Sequence, residues 1–414
     1  MKSRFSGKTL GHHETSLDGP RQAPTRCSRG RGDLRDAPGC VVDRDVAACN
    51  KRSAHGRPDF PLLKDNAFSS TAPGHSADKR FTSSLSRRIE GLDELRGISV
   101  LMVMVFHLFY AWGVDVPLMG PWAVDIFFVI SGYLIGTILL QTREQADYFR
   151  TFYVRRIFRI WPLMFAVVCF GVVLAIAGHI TFLNALPYYA TFTQNFIPVS
   201  FPLVPRNSPE FLYHLPGCIP MWSLAIEEQF YLLAPFFVRF LKRSWLPVFF
   251  IGIAATSITF RCFHPANDFW YANIWLSWCR VHHIAFGFLL ACKVDRKWLG
   301  ALFAYWAVLV ATRGLDKGVL ELPLALLTLW AVGRSIAGRA VVANGVLAEL
   351  GKRCFGLYLL HWPIYKLIVG FDRGTSVWIT ALIMGSAFAI TIVVAVASFR
   401  FFEMPIQRQR VRFE

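Results

Sequence analysis

Charge is scarce in this sequence of 414 residues: Asp, Glu, Lys and Arg make up 17%, with 27 acidic residues against 44 basic ones. Set beside 54% hydrophobic and 15% aromatic residues, so low a charge density excludes an ordinary soluble globular chain. Metal-ligand spacing is also missing. The nine cysteines follow no such pattern, and most sit in apolar runs where a thiol serves as a small apolar group. Cys218 and Cys262 are the pair placed to meet on one side of the bundle, and a disulfide between them is an open arrangement. No apolar run occurs in residues 1–88, which excludes a secretory signal there. That stretch is rich in Arg, Gly, Asp, Pro, Ser and His and has no hydrophobic periodicity. It cannot bury enough surface to offset the entropy of ordering, so it is expected to be a disordered basic tail.

What the sequence has in abundance is apolar runs, at 95–113, 121–141, 160–178, 222–241, 246–263, 271–292, 298–312, 319–337, 354–371 and 376–399. They predict an all-α fold, a polytopic membrane bundle of about ten transmembrane helices. The formal charge of +17 does not point to nucleic acid, because the basic residues cluster in the tail and between the runs. Arg87 and Arg88, Arg150 to Arg159, Lys242 and Arg243, Lys293 to Lys297, Arg334 to Arg353 and Arg408 to Arg412 all fall on one side, which puts both termini in the cytoplasm. The expected organisation is a tail at 1–88, a transmembrane domain at 89–407 and a basic cytoplasmic tail at 408–414. Residues 183–197, LNALPYYATFTQNFI, do not fit a full crossing without moving Lys242 and Arg243 outside, and are expected to be re-entrant or interfacial.

Titratable side chains inside these runs are the functional candidates, since groups at such depth are costly and usually face protein or a water-filled cavity. Arg96 and His107 are 11 residues apart, so on a helix they share one stripe, roughly 16 Å apart along the axis. His107 is then expected near the middle of the hydrocarbon layer, suited either to a hydrogen bond with a neighbouring helix or to accepting a proton. Asp125 lies near the outer end of the second run. Gly132 and Gly136 in the same run form a small-xxx-small pair that admits a close helix.

In YFRTFYVRRIFRIWP, Arg150, Arg155, Arg156 and Arg159 alternate with aromatics. This is either a topology-setting loop or a guanidinium receptor for phosphate. Ser223, Glu227 and Tyr231 recur at i, i+4, i+8 on one face, while Glu228 points elsewhere. Glu227 suits orienting a histidine, binding a hydroxylated acceptor, or capping a helix dipole. Arg280, His282 and His283 form a polar knot with too few ligands to hold a metal. His361, before Trp362-Pro363, reads as a satisfied structural histidine.

Taken in order, LDELRG with Arg96 and His107 in Arg-x10-His spacing, VDIFFVISGYLI, RRIFRIWP, WSLAIEEQFYLLAP, LYLLHWP and FRFFEMPI resemble the acyltransferase 3 family of integral membrane O-acyltransferases. The resemblance spans residues 89–407 and implies a ten-helix bacterial inner-membrane protein. It would carry an acyl group, acetyl in the simplest case, from acyl-coenzyme A to a hydroxyl of a carbohydrate or glycolipid acceptor, without a metal. It further implies His107 as catalytic base, Arg96 in support, and Glu227 and Asp125 as acidic candidates. Arg155, Arg156 and Arg159 become donor-phosphate candidates. The version of the family without a following serine-hydrolase domain is expected. One departure is His283, where many members place an acid three residues after the arginine, and this removes the local partner of Arg280. A proton-coupled transporter or flippase of a glycan or metabolite is the alternative, since it also needs intramembrane Arg, His, Asp and Glu. It would show a repeat of broken helices in two halves, which this sequence lacks.

Overall fold

In a computed structural model of the chain, the described residues are 77–114, 116, 119–178, 185–197, 215–263, 275–313, 318–339, 341–369 and 376–413. Among them the secondary structure is helical throughout, with no strand. The helices are α1 (Ala77–Ala111), α2 (Met119–Thr142), α3 (Tyr148–Ala177), α4 (Leu186–Ala190), α5 (Trp222–Phe240), α6 (Leu246–Phe263) and α7 (Ser277–Ala291). They continue with α8 (Arg296–Arg313), α9 (Gly318–Ile336), α10 (Gly345–Lys352), α11 (Cys354–Val369), α12 (Val377–Ser398) and α13 (Met404–Gln409). A π-helical turn, Phe399–Glu403, joins the last two.

Each of the ten apolar runs contains a helix, with differences in extent: the helix in the run at 271–292 is Ser277–Ala291, and two helices begin earlier than expected. α1 begins at Ala77, inside the stretch expected to lack structure, while residues 1–76 lie outside the described ones. α3 begins at Tyr148, so the arginine-rich stretch forms its first turns and is not a separate loop. Five helical stretches are long and apolar enough to cross a membrane: Glu90–Ala111, Met119–Thr142, Tyr148–Ala177, Leu246–Phe263 and Trp378–Arg412. The other runs fall short for local reasons. α7 and α11 have only 15 and 16 residues, and α5 carries Glu227, Glu228 and Arg239. Two of these, Glu227 and Glu228, belong to the candidate site.

Glycines set the two closest helix pairs. A Cβ on Gly132 of α2 would meet the Ile284 carbonyl of α7, and one on Gly287 of α7 would meet the Val129 carbonyl of α2. The two backbones therefore touch where the small-residue spacing predicted a close approach. Gly97 of α1 and Gly351 of α10 repeat the arrangement against the carbonyls of Leu347 and Asp93. The start of α10 is fixed by Asn344, whose side chain accepts from the amides of Val346 and Leu347, while its own amide donates to Glu94 of α1.

The described part of 183–197 holds only the short α4 and a 3-10 turn at Gln194–Phe196. Tyr189, Gln194 and Asn195 are buried there. Gln229 of α5 donates to the Phe192 carbonyl at 2.8 Å and to Asn195 Oδ1 at 3.0 Å, and Asn195 donates to the Trp275 carbonyl at 3.0 Å. Irregular backbone at this place is thus enclosed by protein, which is the condition under which apolar surroundings tolerate it. Cys218 and Cys262 are not joined in a disulfide; Cys218 is buried against the Val167 carbonyl of α3.

Candidate active site

His107 lies one turn before the end of α1, closer to that end than the mid-layer depth expected for it. The span runs from Glu90, so most of its length precedes the histidine. Its ring is half-buried, with the Trp362 ring centroid 5.2 Å away and that of His361 4.9 Å away. His107 Nδ1 is 3.1 Å from the Val103 carbonyl and 3.0 Å from His361 Nε2. Its Nε2 has no hydrogen-bond partner among the described residues and is not among the sealed polar atoms. His361, read from sequence as structurally satisfied, is therefore in direct contact with the candidate base. No local pattern could signal this, because the two lie 254 positions apart.

From His361 the contacts run to α5. His361 Nδ1 donates to the Tyr358 carbonyl at 2.6 Å, the Tyr358 hydroxyl donates to the Pro220 carbonyl at 2.5 Å, and Ser223 lies 2.6 Å from that hydroxyl. Since a carbonyl can only accept, Tyr358 spends its hydrogen on Pro220 and takes the one from Ser223. One helical turn on from Ser223, Glu227 accepts from Ser131 of α2 at 2.8 Å and from Tyr231 at 3.1 Å. The i, i+4, i+8 spacing thus places all three side chains along one strip of α5, where Tyr231 bonds Glu227 and Ser223 bonds Tyr358. Glu228 diverges as its position predicted and accepts from the Trp161 indole at 3.2 Å.

The arginines of α3 divide. The Arg156 guanidinium lies over the rings of Tyr231 and Phe152, at 5.5 and 5.8 Å, with its Nε sealed and unpartnered. It points into the bundle beside Glu227; Arg155 and Arg156 are both half-buried, and Arg159 is exposed. Arg159 is within electrostatic reach of Arg156, Glu227 and Glu403. Glu403, which sequence reasoning missed, is 5% exposed in the π-helical turn, and its Oε1 occupies the space that a side chain at Gly356 would fill. A lone carboxylate closing a long apolar run, in FRFFEMPI, was the available signal. Arg96 pairs with Asp93 of its own helix at 2.7 Å, on the part of α1 that docks against α10.

Asp125 belongs to a different cluster. Its Oδ2 accepts from Arg280 Nη1 of α7 at 3.3 Å, and its Oδ1 is 3.4 Å from His283 Nε2. Arg280 also lies 3.8 Å from Glu321 of α9, which takes a two-pronged pairing from Arg261 of α6. The acid partners that Arg280 lacks within its own helix are thus supplied by α2 and α9. His282 is held by Ser257 at 2.9 Å. Among the described residues, the polar contacts of Asp125 are with Arg280 and His283, not with His107, His361 or Glu227.

This geometry can be set beside known proteins. The acyltransferase 3 family, described as an acyltransferase domain, matches residues 89–400. A peptidoglycan O-acetyltransferase of Listeria monocytogenes is 28% identical over 366 residues, covering 80% of this chain and 57% of that relative. A protein named a putative O-acetyltransferase of Staphylococcus aureus is 26% identical over 367 residues, covering 79% of this chain and 58% of its own length. A third, named a putative peptidoglycan O-acetyltransferase of Bacillus subtilis, is 37% identical over 162 residues, or 37% of this chain and 24% of the relative. The chain spans little more than half the length of the first of these relatives. No solved structure matches it.

Proposed function

Because the chain belongs to the acyltransferase 3 family, we propose that it is a multi-pass enzyme of the bacterial inner membrane that moves an acyl group, acetyl in the first instance, from acyl-coenzyme A to a hydroxyl of an envelope carbohydrate. The observation that carries this reading is His107 Nε2, an accessible ring nitrogen without a partner, on a ring whose other nitrogen is already engaged. A neutral imidazole with a free ring nitrogen can accept the proton of an attacking hydroxyl.

In the step proposed, Nε2 takes the proton of the acceptor hydroxyl as its oxygen forms a bond to the thioester carbonyl carbon. The carbon–sulfur bond then breaks, the coenzyme leaves as a thiolate, and the proton held on the imidazolium passes to that sulfur. With both termini in the cytoplasm, Arg155 and Arg159 at the start of α3 are placed to meet the donor phosphates. Arg156, half-buried over Tyr231, fits better as the charge that holds the Tyr231–Glu227–Ser131 strip in place. Arg96, paired with Asp93 where α1 docks against α10, is assigned a supporting role at the donor end. Asp125 is assigned to the closed ionic cluster, and no proton is routed through it. Two of the similar proteins carry peptidoglycan in their names, so an amino-sugar glycan is the acceptor to test first.

The test uses the full chain in lipid nanodiscs with acetyl-coenzyme A and a peptidoglycan-derived oligosaccharide, following thiol release and the gain of one acetyl group by mass spectrometry. His107→Ala is expected to cut the rate by about 10²–10⁴-fold while the protein still inserts. Acetyl transfer that survives His107→Ala undiminished would sink the assignment.

A further inference from the structure

Two carbonyl groups decide the protonation of the paired histidines. His361 Nδ1 lies 2.6 Å from the Tyr358 carbonyl, which can only accept, so that nitrogen carries the hydrogen of the neutral ring. Its Nε2 therefore bears the lone pair and accepts from the nitrogen 3.0 Å away, His107 Nδ1. That nitrogen also faces the Val103 carbonyl at 3.1 Å, a second obligate acceptor, so its hydrogen is shared between the two. The only arrangement that satisfies all three contacts leaves His107 Nε2 without a hydrogen.

We infer that His361 is a positioning residue for the transfer reaction: it accepts the Nδ1 hydrogen of His107, fixes the ring, and holds Nε2 as the nitrogen that takes the substrate proton. This rests on the reading of His107 as the base. The support beneath His361 is rigid. The residue is fully buried, its ring contacts those of Tyr358 and Tyr365 at centroid distances of 5.9 and 5.6 Å, and Tyr358 is tied to Pro220 and Ser223. A neutral ring is well chosen as the acceptor. When His107 becomes an imidazolium, its Nδ1–H bond to His361 turns charge-assisted and strengthens as the reaction needs it. A carboxylate in the same place would bind more strongly but would have to be desolvated as a full charge inside an apolar span.

The experiment compares His361→Leu, which removes the acceptor, with His361→Gln, whose side-chain oxygen restores one at similar reach. Thiol release from acetyl-coenzyme A is measured with the same oligosaccharide, and His107→Ala is run in parallel. The leucine variant is expected to lose about 10²-fold in kcat with KM for acetyl-coenzyme A nearly unchanged, and glutamine to recover about tenfold of that loss. Wild-type kcat in His361→Leu overturns the inference, and so does an equal loss in both variants, since packing of the ring would then be the cause. Activity retained by His107→Ala would instead remove the reading underneath. Should neither His361 variant fold, carbethoxylation of the wild-type protein by diethyl pyrocarbonate decides. The free Nε2 predicts that His107 is modified before His361, and the reverse order overturns the pairing.

Discussion

Asp125, Arg280 and Glu321 are 4%, 0% and 7% exposed and meet as opposite charges drawn from three helices, with Arg261 completing the set. The ring of His107 is also packed among helices, yet it is only half-buried, and Glu227 beside Ser131 is likewise half-buried. Both regions put polar groups inside an apolar bundle, and they resolve the cost in opposite ways. Around Arg280 two guanidiniums face two carboxylates and water is shut out, so the charges answer one another. Around His107 the polar atoms are mostly rings and hydroxyls, with Glu227 and Arg156 farther along α5 and α3, and the His107 ring is left partly open. A closed, charge-balanced cluster holds helices together, and a half-open one leaves a ring nitrogen available. Burial and charge alone would have ranked the two clusters the other way round as sites.

The largest expected effect comes from unbalancing the closed cluster. Arg280→Met leaves Asp125 facing only His283 and removes one of the two guanidiniums beside Glu321. Breaking a buried pair in this way costs roughly 3–5 kcal/mol, so the variant should insert poorly or melt well below the wild type in detergent. Pairing it with Asp125→Leu should restore most of the loss, because an apolar pair of similar volume is often as stable as the ion pair it replaces. If Arg280→Met instead kept its melting temperature and lost acetyl transfer, the division between the two clusters would be wrong.

Glu227→Gln tests the open cluster at its acidic member. The amide oxygen can still accept from Ser131 or Tyr231, but the charge opposite Arg156 is gone. The expected outcome is a kcat about tenfold lower, smaller than the loss in His107→Ala, with a melting temperature within a few degrees of wild type. A collapse in stability would place Glu227 with the closed cluster and break the contrast.

How much of this could be read from sequence follows from the range of each interaction. The ten apolar runs, the close approach at Gly132 and the shared face of Ser223, Glu227 and Tyr231 are local periodicities, and they are legible because a helix repeats every few residues. The pairing of His107 with His361 and of Asp125 with Arg280 spans 254 and 155 residues, and no local pattern encodes which run packs against which. Arg156 shows an intermediate case. Its position on α3 was legible, but whether the guanidinium faces a donor or Tyr231 depends on α5, so the phosphate-receptor reading suits its neighbours better. Glu403 went unremarked because its setting, a π-helical turn against Gly356, exists only once α11 and α12 have packed.

A third kind of ionic contact calibrates the first. Glu349, on α10 outside the membrane-crossing helices, accepts from Lys352 at 2.6 Å and Arg353 at 2.5 Å, and these two hydrogen bonds hold its carboxyl at about 2, below the usual 4.5. A carboxylate depressed in this direction adds stability that is present above about pH 4.5 and lost as the pH falls toward 2. The side chain is 52% exposed, so solvent screens the pairing and the gain is on the order of a few tenths of a kcal/mol. Glu349→Gln should therefore lower the melting temperature slightly at pH 6, and the difference from wild type should shrink by pH 3. The same chemical pair then costs roughly tenfold less to break at the surface than at Arg280, and burial accounts for the ratio. A Glu349→Gln loss as large as that of Arg280→Met would mean that the docking of α10 on α1 stores energy in its ionic contacts, not in the glycine-to-backbone packing at Gly97 and Gly351.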